Sequence, residues 1–192
     1  ELSAYGSSET GEPVMRDAQR LSVAFIGVGS NVEPEPNIVA ALELLRSRVR
    51  VTGSSTFYRT EPVGRPDQPE FVNGVWRIDT ALSPTQIRDE LLRPIEEELG
   101  RRRCADKFAP RTVDLDLVLC GDLVRDDGTV CLPHPDLARP FVCVPVYELL
   151  DRAGDIELGL QRRMQRLLPD RPDVPPGEPL NELTSRLRQM LI

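Results

Sequence analysis

Two rhythms of apolar residues alternate along this chain, and they predict an ordered series of strands and helices. Leu21 to Val28 is a near-continuous apolar run that closes on Gly29-Ser30-Asn31, as a buried strand entering a turn does. Ile38, Ala41, Leu42 and Leu45 then recur at helical spacing inside Pro36 to Arg48. A second strand is predicted from about Val49 to Tyr58, followed by a Pro/Gly-rich loop from Thr60 to Pro69. Phe71 to Asp79 reads as the third strand. Ser83-Pro84 opens a helix, because a serine hydroxyl satisfies a free first-turn N–H and proline presets φ; Gly100 ends it. Arg111 to Leu119 is the fourth strand, and the turns at Gly121-Asp122 and Asp126-Asp127-Gly128 bound a short extra one. Val142 to Leu150 predicts a further helix, with Pro145 as a candidate first-turn residue.

The order strand, helix, strand, strand, helix, strand predicts an α+β fold. It is the ferredoxin-like βαββαβ core, an antiparallel sheet with helices packed on one face. Residues 1–20 are polar and lack an apolar period, so they read as a disordered leader or linker. The core domain is expected over residues 21–154, and 155–192 as an extension. That extension is linker-like through Arg171 to Gly177, and then holds a short helix from about Leu180 to Leu191. Its apolar stripe is Leu180, Leu187 and Leu191.

Composition narrows the function. The 192 residues suffice for one well-buried domain with extensions. A net charge of -7 argues against a general nucleic-acid binder and against a binder of anionic membranes. Cys104, Cys120, Cys131 and Cys143 lack C-x-x-C spacing, and His134 is the sole histidine, which leaves little for a zinc site. No apolar run reaches membrane-spanning length and no signal peptide is evident, so a soluble cytoplasmic protein is the expectation.

The local exception to the acidity carries the chemistry. Arg101-Arg102-Arg103, Lys107 and Arg111 lie just ahead of Val113-Asp114-Leu115-Asp116-Leu117. Alternate residues of a strand share a face, so the two carboxylates emerge side by side and repel unless a cation sits between them. Oxygen ligands suit magnesium, which keeps several waters and binds substrate phosphates, and arginines clamp phosphates. A D-x-D pair also arises as solvated edge residues or as ordinary ion-pair partners. From the residues alone, both readings stand.

Several motifs in order resemble the 6-hydroxymethyl-7,8-dihydropterin pyrophosphokinase family of folate biosynthesis. They are Phe25-Ile26-Gly27-Val28-Gly29-Ser30-Asn31, Phe57-Tyr58-Arg59-Thr60, Asp67-Gln68-Pro69-Glu70-Phe71-Val72-Asn73, Pro110-Arg111-Thr112-Val113-Asp114-Leu115-Asp116 and Leu132-Pro133-His134-Pro135. The resemblance covers roughly residues 21 to 150. It implies an ATP- and magnesium-dependent enzyme that transfers pyrophosphate to the pterin hydroxymethyl group and releases AMP. It further implies Asp114 and Asp116 as ligands of two Mg2+ ions bound with ATP, and Arg101 and Arg111 as catalytic arginines. Glu96, Arg103, His134 and Arg139 fall at ATP-binding positions. Thr60, Val63, Phe71, Asn73 and Phe141 fall at pterin-binding positions. Phe71 and Phe141 supply flat apolar faces for the ring, and Asn73 can both donate and accept at its edge.

The sequence also departs from the family pattern. Phe71 replaces a commoner tyrosine, Phe108 a usual tryptophan, and Cys104 holds a place that is often basic. The spacing from His134 through Arg139 to Phe141 is one residue shorter than usual. The implied partners are ATP and a pterin, together with other folate-pathway enzymes reached through the terminal extensions. A ferredoxin-like module without turnover, or a different magnesium-dependent transferase on the same scaffold, are the competing readings.

Overall fold

A computed structural model describes residues 21–62, 67–101 and 109–192. Its centre is an antiparallel sheet built on β1 (Ser22–Ser30), β4 (Phe71–Thr80) and β5 (Asp114–Cys120). The strand order is β5-β1-β4-β3-β8, where β3 is Tyr58–Thr60 and β8 is Glu178–Pro179. The strand β2 (Arg50–Ser54) pairs with the other end of β4. Counting β2 and β3 as the second strand of the predicted series, the order is fourth, first, third, second. That is the ferredoxin-like arrangement.

Helices cover both faces of this sheet. On one face lies α1 (Pro34–Arg48) with α2 (Pro84–Gln86), a π-helical stretch over Ile87–Leu92 and α3 (Arg93–Glu98). Ile38, Leu42, Leu45, Ile87, Leu92 and Ile95 pack there against Ala24, Ile26, Val72 and Trp76. On the other face α4 (Pro140–Asp151) and α5 (Leu158–Gln165) bury Val142, Val146, Leu149 and Met164 against Phe25, Val75, Val118 and Leu119. The expected single helical layer is therefore extended by a second one. The reason stands in the sequence: a strand apolar at consecutive positions, as β1 is from Ala24 onward, needs cover on both faces.

Local chemistry sets the ends of the elements. Ser83 and Gln86 form a reciprocal capping box: the Gln86 N–H donates to Ser83 Oγ at 3.3 Å and the Ser83 N–H to Gln86 Oε1 at 3.1 Å. The π turns end just before Pro94, which has no N–H for the helical ladder. Pro140, rather than Pro145, takes the first turn of α4; Pro145 sits inside the helix. The fourth strand begins at Asp114 instead of Arg111, because the Arg111 backbone is bonded elsewhere (below). Between β6 (Arg125–Asp126) and β7 (Cys131–Leu132) the acidic turn makes a small separate hairpin.

The predicted second strand is broken, and side chains break it. The Thr56 N–H donates to Glu148 Oε2 at 2.9 Å, and the Phe57 N–H to Thr184 Oγ1 at 3.0 Å. Backbone groups so occupied cannot join a continuous ladder, so β2 stops at Ser54 and β3 starts at Tyr58. Thr184 belongs to α6 (Asn181–Gln189), whose Leu183 and Leu187 enter the first core cluster. Burial of each of these leucines contributes roughly 1.5–3 kcal/mol. Among the described residues, no helix is long and apolar enough to cross a membrane.

Candidate active site

The site grows from three strand ends lying side by side. In the β4-β1-β5 register Asn73 stands opposite Gly29, and Gly29 opposite Asp114. One step along, Val75, Gly27 and Asp116 form the next row. The middle strand thus shows glycine at both positions on this face. A Cβ on Gly29 would lie 2.9 Å from Asn73 Oδ1, and one on Gly27 would lie 3.2 Å from Val118 Cγ1. With no side chain between them, Asn73 and Asp114 look across an open floor roughly 10 Å wide, two inter-strand spacings. The cleft above this floor has a volume of about 350 Å³.

Charge is concentrated on the β5 side. Asp114 and Asp116 share one face of β5 with Val118, while Val113, Leu115 and Leu117 face the core behind it. A register shift between Phe25 and Ile26 then turns Leu119 to the other face, where strict alternation would have kept it with Leu117. Arg101 contacts both Glu96 and Asp114, and Arg111 contacts Asp114. Glu96 is 2 % exposed and also accepts the Leu115 N–H at 2.8 Å. Gly100 brings Arg101 there. At φ 79° it lets the Arg101 N–H turn back to the Glu96 carbonyl at 2.9 Å and its own N–H to the Glu97 carbonyl at 3.0 Å, which closes the helix end.

These groups shift one another's protonation. Burial, followed by the charges of Asp114 and Glu96, pushes the Asp116 carboxyl up to about 7, against the opposing charge of Arg101. Burial by itself would lower the Arg101 guanidinium, but Asp114 and Glu96 outweigh it and raise it. Burial and the two neighbouring carboxylates together thus outweigh Arg101 at Asp116.

The end of β1 ties the loops together. Asn31 Oδ1 accepts the Arg111 N–H at 2.7 Å, the Asn31 N–H donates to the Arg111 carbonyl at 3.1 Å, and Ser30 Oγ donates to the Thr112 carbonyl at 2.6 Å. The Asn31 amide also reaches Gln68 Oε1 at 3.4 Å. Asn31 thus positions Arg111 and the loop carrying Gln68. It lies within the Gly-Ser-Asn turn quoted above, whose polar residues after a buried strand were the available signal.

The opposite wall is neutral apart from Glu61. Asn73 Nδ2 donates to Thr60 Oγ1 at 2.7 Å, and Thr60 pairs in register with Phe71. Thr60, Phe71, Asn73 and Phe141 all line the cleft. So do Arg111, Asp114, Asp116 and Arg139, despite the shortened spacing from His134. Arg139 bonds Asp136 through Nε at 2.6 Å, with its guanidinium 5.8 Å from the Phe141 ring centre. His134 stands off the lining. Its Nδ1 accepts the Asp136 N–H at 3.2 Å and caps the 3-10 turn Pro135–Ala138, which leaves the ring proton on Nε2. Glu96 and Arg101 sit behind Asp114 rather than on the lining. Val63 and Arg103 fall outside the described residues. Glu61, Gln68 and Asp136 line the cleft without having been singled out; Asp136, two residues beyond His134, had a recognisable signal in its charge.

The donor set fits magnesium better than a metal held by the protein alone. Among the described residues, no group of three His, Cys, Asp or Glu side chains could cage an ion. Magnesium characteristically takes one or two carboxylates and completes its shell with water and substrate phosphates. Asp114 and Asp116, adjacent on one strand face and both lining the cleft, match that demand.

The chain matches the profile of the family described as 7,8-dihydro-6-hydroxymethylpterin-pyrophosphokinase (HPPK) over residues 25–165. It is 40% identical over 139 residues to the 2-amino-4-hydroxy-6-hydroxymethyldihydropteridine pyrophosphokinase of Haemophilus influenzae, covering 70% of this chain and 84% of that one. Identity to the protein of the same name from Pseudomonas aeruginosa is 39% over 148 residues, 75% of this chain and 88% of that one. The folic acid synthesis protein fol1 of Schizosaccharomyces pombe is 33% identical over 156 residues, 71% of this chain but 21% of that much longer one. With fold, cleft and matched residues in agreement, this chain belongs to the 7,8-dihydro-6-hydroxymethylpterin-pyrophosphokinase family.

Proposed function

We propose that this protein transfers the pyrophosphoryl group of ATP to the hydroxymethyl group of 6-hydroxymethyl-7,8-dihydropterin, releasing AMP, as a step of folate biosynthesis. The observation that carries the reading is the open glycine floor. It joins an acid-and-arginine wall to a neutral aromatic-and-amide wall within one cleft, which is what a charged donor and a flat neutral acceptor require. Free thiols at Cys120, Cys131 and Cys143 suit a cytoplasmic setting.

Each wall has its task. Asp114 and Asp116 would hold the two magnesium ions assigned to the site together with ATP. Bound there, magnesium would supply charge neutralisation at the phosphates and so favour in-line attack on the β-phosphorus. Arg101 and Arg111, which rest on Asp114, would offer their guanidinium N–H donors to the phosphate oxygens. Glu96 holds Arg101 beside Asp114. Arg139 and the Nε2 proton of His134 add further phosphate contacts, and Arg103 keeps the ATP-binding role that the family resemblance gives it. On the acceptor side Phe71 and Phe141 flank the ring, and Asn73 bonds its edge. Thr60 fixes the Asn73 amide, and Val63 keeps the pterin role that the family resemblance gives it. Holding the hydroxyl against the β-phosphorus supplies most of the acceleration, since orientation replaces a bimolecular encounter.

Magnesium, ATP and hydroxymethyldihydropterin incubated with the protein should yield AMP stoichiometric with the pterin diphosphate. AMP formation that proceeds equally without the pterin, or none at all, overturns the reading. Other enzymes of the pathway are the partners we assign to the terminal segments, in keeping with the length of the fission-yeast relative.

A further inference from the structure

The acceptor wall rests on a strand that is poorly supported by its own sheet. β3 is three residues long, is cut off from β2, and pairs with β4 only through Tyr58, Arg59 and Thr60. Its other edge is closed by a segment far along the chain and beyond the family match, which ends at residue 165. There β8 pairs antiparallel with it, Pro179 opposite Tyr58 and Glu178 opposite Arg59. The Leu180 N–H donates to the Phe57 carbonyl at 2.8 Å, and the Phe57 N–H donates to Thr184 Oγ1 at 3.0 Å. Thr184 is 3 % exposed, so this hydroxyl meets a backbone donor that water cannot reach. At residue 177 the approach is so close that a Cβ would lie 2.0 Å from the Arg59 carbonyl oxygen. Arg188 continues the seam, donating to the Ser54 carbonyl at 3.2 Å and to Glu148 at 2.7 Å.

What this seam holds leads straight into the cleft. The Phe57 ring lies against Gly74, where a Cβ would come within 2.6 Å of it, and Gly74 adjoins Asn73. Thr60 ends β3 and accepts the Asn73 amide N–H, which leaves Asn73 Oδ1 above Gly29. We infer that residues 177–184 are a positioning strap that fixes β3, and through Thr60 the Asn73 amide, so that acceptor affinity is set partly by a segment outside the family match. Asp114 and Asp116 stand on β5, on the far side of β1 from this strand. This inference rests on the pterin reading of the Asn73 wall.

Thr184→Val keeps the shape and removes the hydroxyl, Thr184→Ser keeps the hydroxyl, and Gly177→Ala introduces the clash. In the full chain, Thr184→Val and Gly177→Ala should raise KM for hydroxymethyldihydropterin about 10-fold while KM for MgATP changes less than about 2-fold. Thr184→Ser should stay near wild type. Amide exchange in residues 57–60 should quicken in Thr184→Val, a readout that needs no activity. Unchanged exchange there, or equal losses for both substrates, overturns the strap. Wild-type protein that fails to turn over the pterin overturns the functional reading instead, and the exchange result then shows whether the segment holds β3.

Discussion

The two walls of the cleft are held in opposite ways. On the β5 side charges hold one another: Arg101 lies between Glu96 and Asp114, and Arg111 lies on Asp114, while Asp116 is left with a raised affinity for a proton. On the β3–β4 side Thr60, Asn73 and Phe71 are fixed by neutral hydrogen bonds and by packing. Charge partners can be exchanged for a metal and phosphates without rebuilding the backbone, because Coulomb attraction tolerates small changes of geometry. An amide that must match the edge of a ring tolerates far less. On the function proposed above, the donor side is arranged to trade partners, and the acceptor side to keep a shape.

The largest effect should come from breaking the charged wall. Asp116→Ala should lower AMP formation by at least about 1,000-fold, since the metal-bound triphosphate loses one of its two anchors. Near-wild-type rates in a coupled AMP assay would contradict the two-carboxylate assignment. Next comes the neutral wall: Asn73→Ala should weaken pterin binding by about 2 kcal/mol and leave ATP binding nearly intact. Calorimetry with each ligand separately decides this, and matching losses would erase the distinction between the walls.

A smaller effect appears in stability without metal. Asp116 titrates near 7 in the folded protein and at an ordinary 3.8 when unfolded. A raised acid pKa means that the folded state keeps a proton the unfolded chain has released. Stability is thus full below the lower value and falls as pH rises through the higher one. Metal-free Asp116→Asn should then exceed wild type by about 2 kcal/mol above pH 7, with the two converging near pH 4. Urea midpoints that differ equally at both pH values would remove Asp116 from the account.

The smallest change tests the helix end. Gly100 adopts φ 79°, and a Cβ there meets nothing within 4 Å, so Gly100→Ala incurs conformational strain alone. It should cost about 1 kcal/mol of stability and slow turnover several-fold as Arg101 drifts from Asp114, with pterin affinity unchanged. A loss confined to pterin binding would place Gly100 on the wrong wall.

Much of this was legible in the chain. The apolar runs, the serine at the start of the second long helix and Gly100 at its end act locally, within a turn or a strand, so sequence alone determined those elements. The acid pair was equally plain, because a two-residue spacing puts both carboxylates on one strand face wherever that strand lies. Tertiary structure decided what depended on distant partners. Glu148 and Thr184 took the N–H groups of Thr56 and Phe57 and broke a strand that its local pattern favoured. A register shift sent Leu119 to the face opposite Leu117. The Gly29 floor between Asn73 and Asp114 exists because three strands far apart in sequence came into register, and no local spacing encodes a register across strands.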